Sequence, residues 1–152
     1  MGVTTASNAS AATMAANIKR IETNSNSGKF VAFFNGGVHH ATTVECPLRG
    51  YATSYVSVSG NTITFKKACT VKEYYTYCNP SYYGRQVGSM SGYRHVNGVS
   101  TKYVNPNSSS SAGFLEKTTT LTFAVGDTLK YTVANGDGSN GFASVGVTLV
   151  IN

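Results

Sequence analysis

Leu121 to Ile151 reads LTFAVGDTLKYTVANGDGSNGFASVGVTLVI, and its pattern decides the fold. Leu121, Phe123 and Val125 alternate with polar or small residues, Gly126-Asp127 supplies turn chemistry, and Leu129, Tyr131 and Val133 alternate again with Thr128, Lys130 and Thr132. Beyond the Asn/Gly/Asp stretch from Asn135 to Gly141, Val145, Val147, Leu149 and Ile151 fall on one face of a last strand. Successive side chains of a strand point to opposite faces, and Gly, Asn and Asp adopt the backbone conformations that reverse a chain. The stretch therefore predicts antiparallel sheet with one face turned into a core.

The same pattern extends towards the N-terminus. Residues 29–34, 42–46, 51–58, 62–66, 69–77, 93–96 and 99–104 read as strands. Asn35-Gly36-Gly37, Ser59-Gly60-Asn61 and Asn97-Gly98 read as turns, and residues 79–92 and 105–111 as longer loops. About ten strands suit a two-sheet antiparallel jelly roll better than a small barrel, so residues 29–152 are expected to form one all-β domain. Residues 1–28 have a different character. Ala11, Met14, Ala15, Ile18 and Ile21 share one helical face, which predicts a short N-terminal helix or an extended arm. Two heptads of this spacing are too few for a free-standing coiled coil, so the arm is expected to lie on a partner or on the chain's own β-domain, with Met14, Ile18, Lys19, Arg20 and Ile21 as its docking residues.

Composition narrows the function. Charged residues are only 12% of the chain, so its surface is built largely from Ser, Thr, Asn, Gly and Tyr. The formal net charge is +6, yet the basic residues come singly or in pairs such as Lys19-Arg20 and Lys66-Lys67. Nucleic acid demands a concentrated stripe that neutralises several phosphates together, so no nucleic-acid partner is expected. An acidic protein shell or an anionic cell surface fits better. No apolar run approaches 18 residues and the first residues do not read as a charged-then-apolar leader, so neither membrane insertion nor a signal peptide is expected. Cys46, Cys69 and Cys78 cannot all pair within one chain, and Cys69 and Cys78 on one strand would lie about 30 Å apart. Free thiols, and folding in a cytoplasm, are expected.

No reacting centre is legible. His39-His40 with Glu45 is the one constellation resembling a metal site, but adjacent strand residues face opposite sides of the sheet, so neither metal nor cofactor is expected. The Asn135–Asn140 stretch lacks the bidentate Glu of a calcium loop, with Gly146 at the twelfth position. The six acidic residues include no close sequence pair of the glycosidase kind, and serine-hydrolase and phosphate-loop motifs are absent, so no catalytic residue is assigned.

Gly60-Asn61-Thr62-Ile63-Thr64, the strand from Val71 to Tyr77, Val96-Asn97-Gly98-Val99, Thr119 to Leu129 and Gly146 to Ile151 follow a familiar order. Over roughly its last 90 residues the chain resembles the jelly-roll heads of the tumour necrosis factor and complement globular-head superfamily, as found in bacteriophage fibres and capsid decoration proteins. The resemblance implies a homotrimer in which aromatic residues of inner-sheet strands pack near the three-fold axis. Tyr75, Tyr77, Tyr131 and Phe142 are the matching candidates. It further implies a non-enzymatic virion structural protein, assembled in the host cytoplasm, with the arm on the major capsid protein or another virion component. The alternative is a tail-fibre tip that recognises a cell-surface glycan. Tyr and Arg give large contact area at small entropic cost, and Tyr82, Tyr83, Arg85, Tyr93, Arg94 and His95 are the residues expected to be exposed in binding loops.

Overall fold

In the computed structural model, residues 11–18, 26–39, 42–79, 90–103, 113–135 and 142–152 are described. Among them are one helix, α1 (residues 11–18), and eleven strands: β1 (Phe30–His39), β2 (Thr42–Glu45), β3 (Leu48–Tyr51), β4 (Val56–Ser59), β5 (Thr62–Phe65), β6 (Cys69–Asn79), β7 (Met90–Val96), β8 (Val99–Tyr103), β9 (Gly113–Phe123), β10 (Thr128–Asn135) and β11 (Phe142–Ile151). They form two antiparallel sheets. One runs β3-β1-β11-β6-β9, and the other β4-β5-β10-β7-β8 with β2 also paired to β10. The all-β jelly roll expected from the sequence is the observed architecture.

The inner faces of both sheets supply one core. Val145, Val147, Leu149 and Ile151 of β11 all point into it, as their alternation requires. Aromatic rings bridge the layers. Phe34 of β1 meets Tyr131 of β10 edge-on at 5.0 Å, Phe65 of β5 stacks on Phe123 of β9 at 4.1 Å, and Tyr75 of β6 stacks on Tyr103 of β8 at 3.7 Å. Such pairs hold the sheets in register beyond the area they bury.

Two expectations about this part of the fold are corrected. Residues 51–58 are not one strand: the Ala52 carbonyl accepts from the amides of Tyr55 at 3.0 Å and Val56 at 3.1 Å, folding the chain between β3 and β4. Asn35-Gly36-Gly37 is not a turn but the middle of β1. Gly36 is needed for close approach, because a Cβ there would lie 2.7 Å from Pro47 Cδ and 3.0 Å from Cys46 Cα. Gly126-Asp127 turns the chain as expected, with Gly126 at φ 90°, and carries it from one sheet to the other. Asp127 pins this corner: its carboxylate accepts from the Ala124 amide at 2.7 Å and from Asn97 Nδ2 at 2.9 Å. The Asn97-Gly98 hairpin between β7 and β8 is as expected, with φ values of 50° and 80°. The strands also take more of the chain than anticipated, since β6 runs to Asn79 and β7 begins at Met90.

Candidate functional site

The sequence of β6 sets one row of residues inward and the other outward. Val71, Glu73, Tyr75 and Tyr77 face the core, and an acid in the middle of that row is the unexpected member. The Glu73 side chain has no solvent exposure, and its carboxylate is met from three strands of the opposite sheet. Arg94 of β7 donates to Oε1 at 3.0 Å, Tyr103 of β8 donates to the same oxygen, and Tyr131 of β10 donates to Oε2. The Arg94 guanidinium also donates to the Tyr103 oxygen and lies 5.5 Å from the Tyr103 ring. Every acceptor of the acid is therefore engaged, which is the condition for keeping a charge in a core. This arrangement is structural: it offers no reacting group to solvent.

Four of the residues expected to face a partner are placed inside the protomer. Tyr75, Tyr77 and Tyr131 are fully buried between the sheets, so a neighbouring chain gains no contact from their side chains. Arg94 is on β7 and not in an exposed loop, with only 13% of its side chain accessible and its charge committed to Glu73. Strand alternation is the reason in every case, because it sends these positions to the core face. Phe142 opens β11 opposite His39, and its side chain lies outside the described residues. Tyr82, Tyr83, Arg85, Lys19, Arg20 and Ile21 also lie outside the described residues.

Tyr93 and His95 belong to β7 as well, on the outer face of the six-stranded sheet, and both are half-buried instead of lying in a loop. His95 Nε2 bonds to Thr132 Oγ1 at 2.8 Å and Nδ1 to Ser100 Oγ at 3.3 Å. Burial, helped by the nearby Lys130 ammonium, holds its imidazole below the ordinary value. Glu45 pairs with Lys130 at 2.9 Å and accepts from Asn61 at 3.4 Å, which pulls its carboxyl below the usual range. Among the described residues no three His, Cys, Asp or Glu side chains converge as a metal site would require.

Among the described residues, two open surfaces stand out here. On α1 every residue is exposed, Met14 by 62% and Ile18 by 53%. No described helix is long and apolar enough to cross a membrane. The second surface is the outer face of the five-stranded sheet. There the ladder lines up Phe33, Thr148, Tyr74 and Thr118 across β1, β11, β6 and β9. Tyr74 is 45% exposed, and a groove of about 450 Å³ runs beside it, lined by Thr76, Glu116, Lys117 and Thr118. Threonines recur on this face, with Thr70 and Thr122 hydrogen-bonded across the strands at 3.1 Å. A flat face of small, mostly uncharged residues can be covered at little desolvation cost. Of the β6 tyrosines that the sequence singled out, Tyr74 lies on this outer face and Tyr75 and Tyr77 on the inner one.

The buried thiol and phenols have a consequence for pH. Burial pushes the Cys46 thiol from its ordinary 9.0 up to about 12, and raises Tyr75, Tyr77, Tyr103 and Tyr131 above the usual phenol value of 10.0. Unfolding frees these groups to lose protons at their ordinary values, so above pH ~9 the unfolded chain binds fewer protons than the folded one. Stability is thus fully present below pH ~9 and is lost progressively as pH rises towards the folded values. Urea midpoints measured between pH 7 and 11 should be level at first and then fall; a midpoint unchanged from pH 8 to 11 would contradict the burial of these groups.

Comparison with known proteins gives likeness in fold alone. No family model matches the chain, and no curated protein matches it in sequence. Among solved structures, the globular domain of the zebrafish complement 1qA protein is similar with a TM-score of 0.51 and 14% identity, over 78% of this chain and 95% of that one. The PRD1 vertex protein P5 is similar with a TM-score of 0.52 and 11% identity, over 82% of this chain and 99% of that one. The jelly roll of complement-type globular heads, also present in a phage vertex protein, is the fold of this chain.

Proposed function

We propose that this chain is a non-enzymatic structural protein of a bacteriophage virion: a homotrimeric capsid decoration or head-fibre protein, attached through its N-terminal arm and projecting its β-domain outward. The observation that carries the reading is the likeness in fold to a phage vertex protein over nearly the whole of that protein's compared chain. The exposed apolar side chains of α1 supply the docking element, since Met14 and Ile18 gain burial against a partner. The outer face of the five-stranded sheet supplies the subunit contact, with Tyr74 and Phe33 in place of the buried tyrosines. Three arms on one trimer bind a shell together, so weak individual contacts are multiplied by effective concentration.

The test uses capsids of the phage stripped of this protein. The full chain is expected to co-sediment with them and to run in solution at three times its 16.0 kDa chain mass. Deletion of residues 2–24 is expected to abolish co-sedimentation while leaving the trimer mass intact. Binding that survives the deletion removes the arm from the docking role, and a monomer in solution removes the trimeric head.

A further inference from the structure

The chain passes from the arm into the β-domain at Asn26, and among the described residues lysines carry the charge beside that point. Asn26 Oδ1 accepts from Lys29 Nζ at 3.0 Å and from the Tyr55 hydroxyl at 3.3 Å. The same Tyr55 carries Lys67, whose ammonium lies 5.4 Å from the ring, and its carbonyl accepts the Lys66 amide at 2.8 Å. Lys66 Nζ is held by the Thr53 carbonyl at 2.9 Å. Three exposed lysines are thus tied to this region: Lys67 over the Tyr55 ring, Lys29 on Asn26, which Tyr55 shares, and Lys66 on the Thr53 carbonyl. The described ion pairs, Arg94 with Glu73 and Lys130 with Glu45, involve none of them. Beside them opens a notch of about 320 Å³ lined by Asn26, Tyr55, Lys67, Cys69 and Ile151.

We propose that this lysine-bearing end is a second contact by which the head seats on an acidic protein surface, next to where the arm docks. The inference rests on the virion reading above and deepens it by naming the surface and the chemistry of the partner. Charge complementarity selects the occupant: ammonium groups without carboxylate partners favour a surface rich in Asp and Glu, and steer its approach. The notch selects protein over nucleic acid, because Tyr55 and Ile151 offer apolar wall to a side chain adjoining a carboxylate. A phosphate backbone calls instead for a row of cations along a groove. Position adds to the argument, since the arm joins the head at this end, at Asn26.

The experiment compares two full-length variants, each lacking three positive charges from a chain of formal net charge +6. One carries Lys29→Gln, Lys66→Gln and Lys67→Gln; the other carries Arg49→Gln, Lys102→Gln and Lys130→Gln. Binding to the stripped capsids is measured at 50 and 300 mM NaCl, and binding to a 30-base-pair DNA duplex alongside it. The proposal expects the first variant to bind capsids at least tenfold more weakly at low salt, with a flattened salt dependence, while the second stays within about twofold of the parent. Solution mass and melting temperature check that both variants remain folded and assembled. Equal losses in the two variants overturn the proposal, as does a loss confined to DNA binding. If the parent protein itself fails to bind capsids, the virion reading falls and takes this inference with it.

Discussion

Arg94→Met is expected to lower the stability of the protein by about 3–5 kcal/mol, with a fall in melting temperature on the order of 10 °C. The substitution keeps most of the volume but removes the one cation that meets Glu73, whose side chain has no access to water. Tyr103 and Tyr131 still donate to the carboxylate, yet a charge without a counter-charge in a core is among the costliest defects a single substitution can leave. The reverse change is milder. Glu73→Gln retains an oxygen for one tyrosine, and Arg94, with 13% of its side chain accessible, can turn towards solvent. The double variant should recover part of the loss. Lys130→Met supplies the contrast, because its pair with Glu45 is exposed on both sides and falls in the range of under about 1 kcal/mol. Urea unfolding at a fixed protein concentration measures all four; an Arg94 variant no worse than the Lys130 variant would show that the buried carboxylate does not need its partner.

Gly92→Ala should be the second most damaging change, at about 3 kcal/mol. Gly92 lies on β7 directly beneath the ring of Tyr75 from the opposite sheet, and a Cβ there would fall 1.7 Å from the Tyr75 hydroxyl, 3.0 Å from its Cζ and 3.4 Å from Val145 Cγ2. Space for the phenol exists only because the residue has no side chain. The Tyr75 hydroxyl is itself buried without a hydrogen-bond partner among the described residues. Tyr75→Phe is therefore expected to be neutral or slightly stabilising, since it deletes an unsatisfied polar atom. With the hydroxyl gone, the nearest obstacle to an alanine methyl is Cζ at 3.0 Å, and the penalty of Gly92→Ala should drop to about 1 kcal/mol. Additive penalties in the double variant would mean that the steric conflict is with the backbone and not with the phenol.

Both predictions concern residues whose importance is invisible locally. In the sequence Glu73 follows Val71 at the spacing of an inward strand position, a visible anomaly, but its partner Arg94 lies 21 residues on and reads as a surface charge. Tyr131 and Tyr103 are further still along the chain. Gly92 reads as loop glycine until β7 is placed across from β6. The same distinction separates the surfaces. Tyr74 and Tyr75 are neighbours in sequence and alike in chemistry, yet one is 45% exposed and the other is buried, because the pleat sends them apart.

By itself the sequence determined what depends on near neighbours: alternation along β5, β6, β10 and β11, the Asn97-Gly98 hairpin, the reversal at Gly126, and from these an all-β sandwich of two sheets. These are consequences of backbone geometry repeated every two or three residues. Only the tertiary structure decided which sheet each strand joined, because the same Gly-Asp turn serves a hairpin or a corner between layers. It also decided that β1 runs through its glycines to make room for Pro47, that four expected contact residues belong to the core, and that Lys29, Lys66 and Lys67 gather around Tyr55. Those outcomes turn on distances between residues far apart in the chain, which a local pattern does not encode.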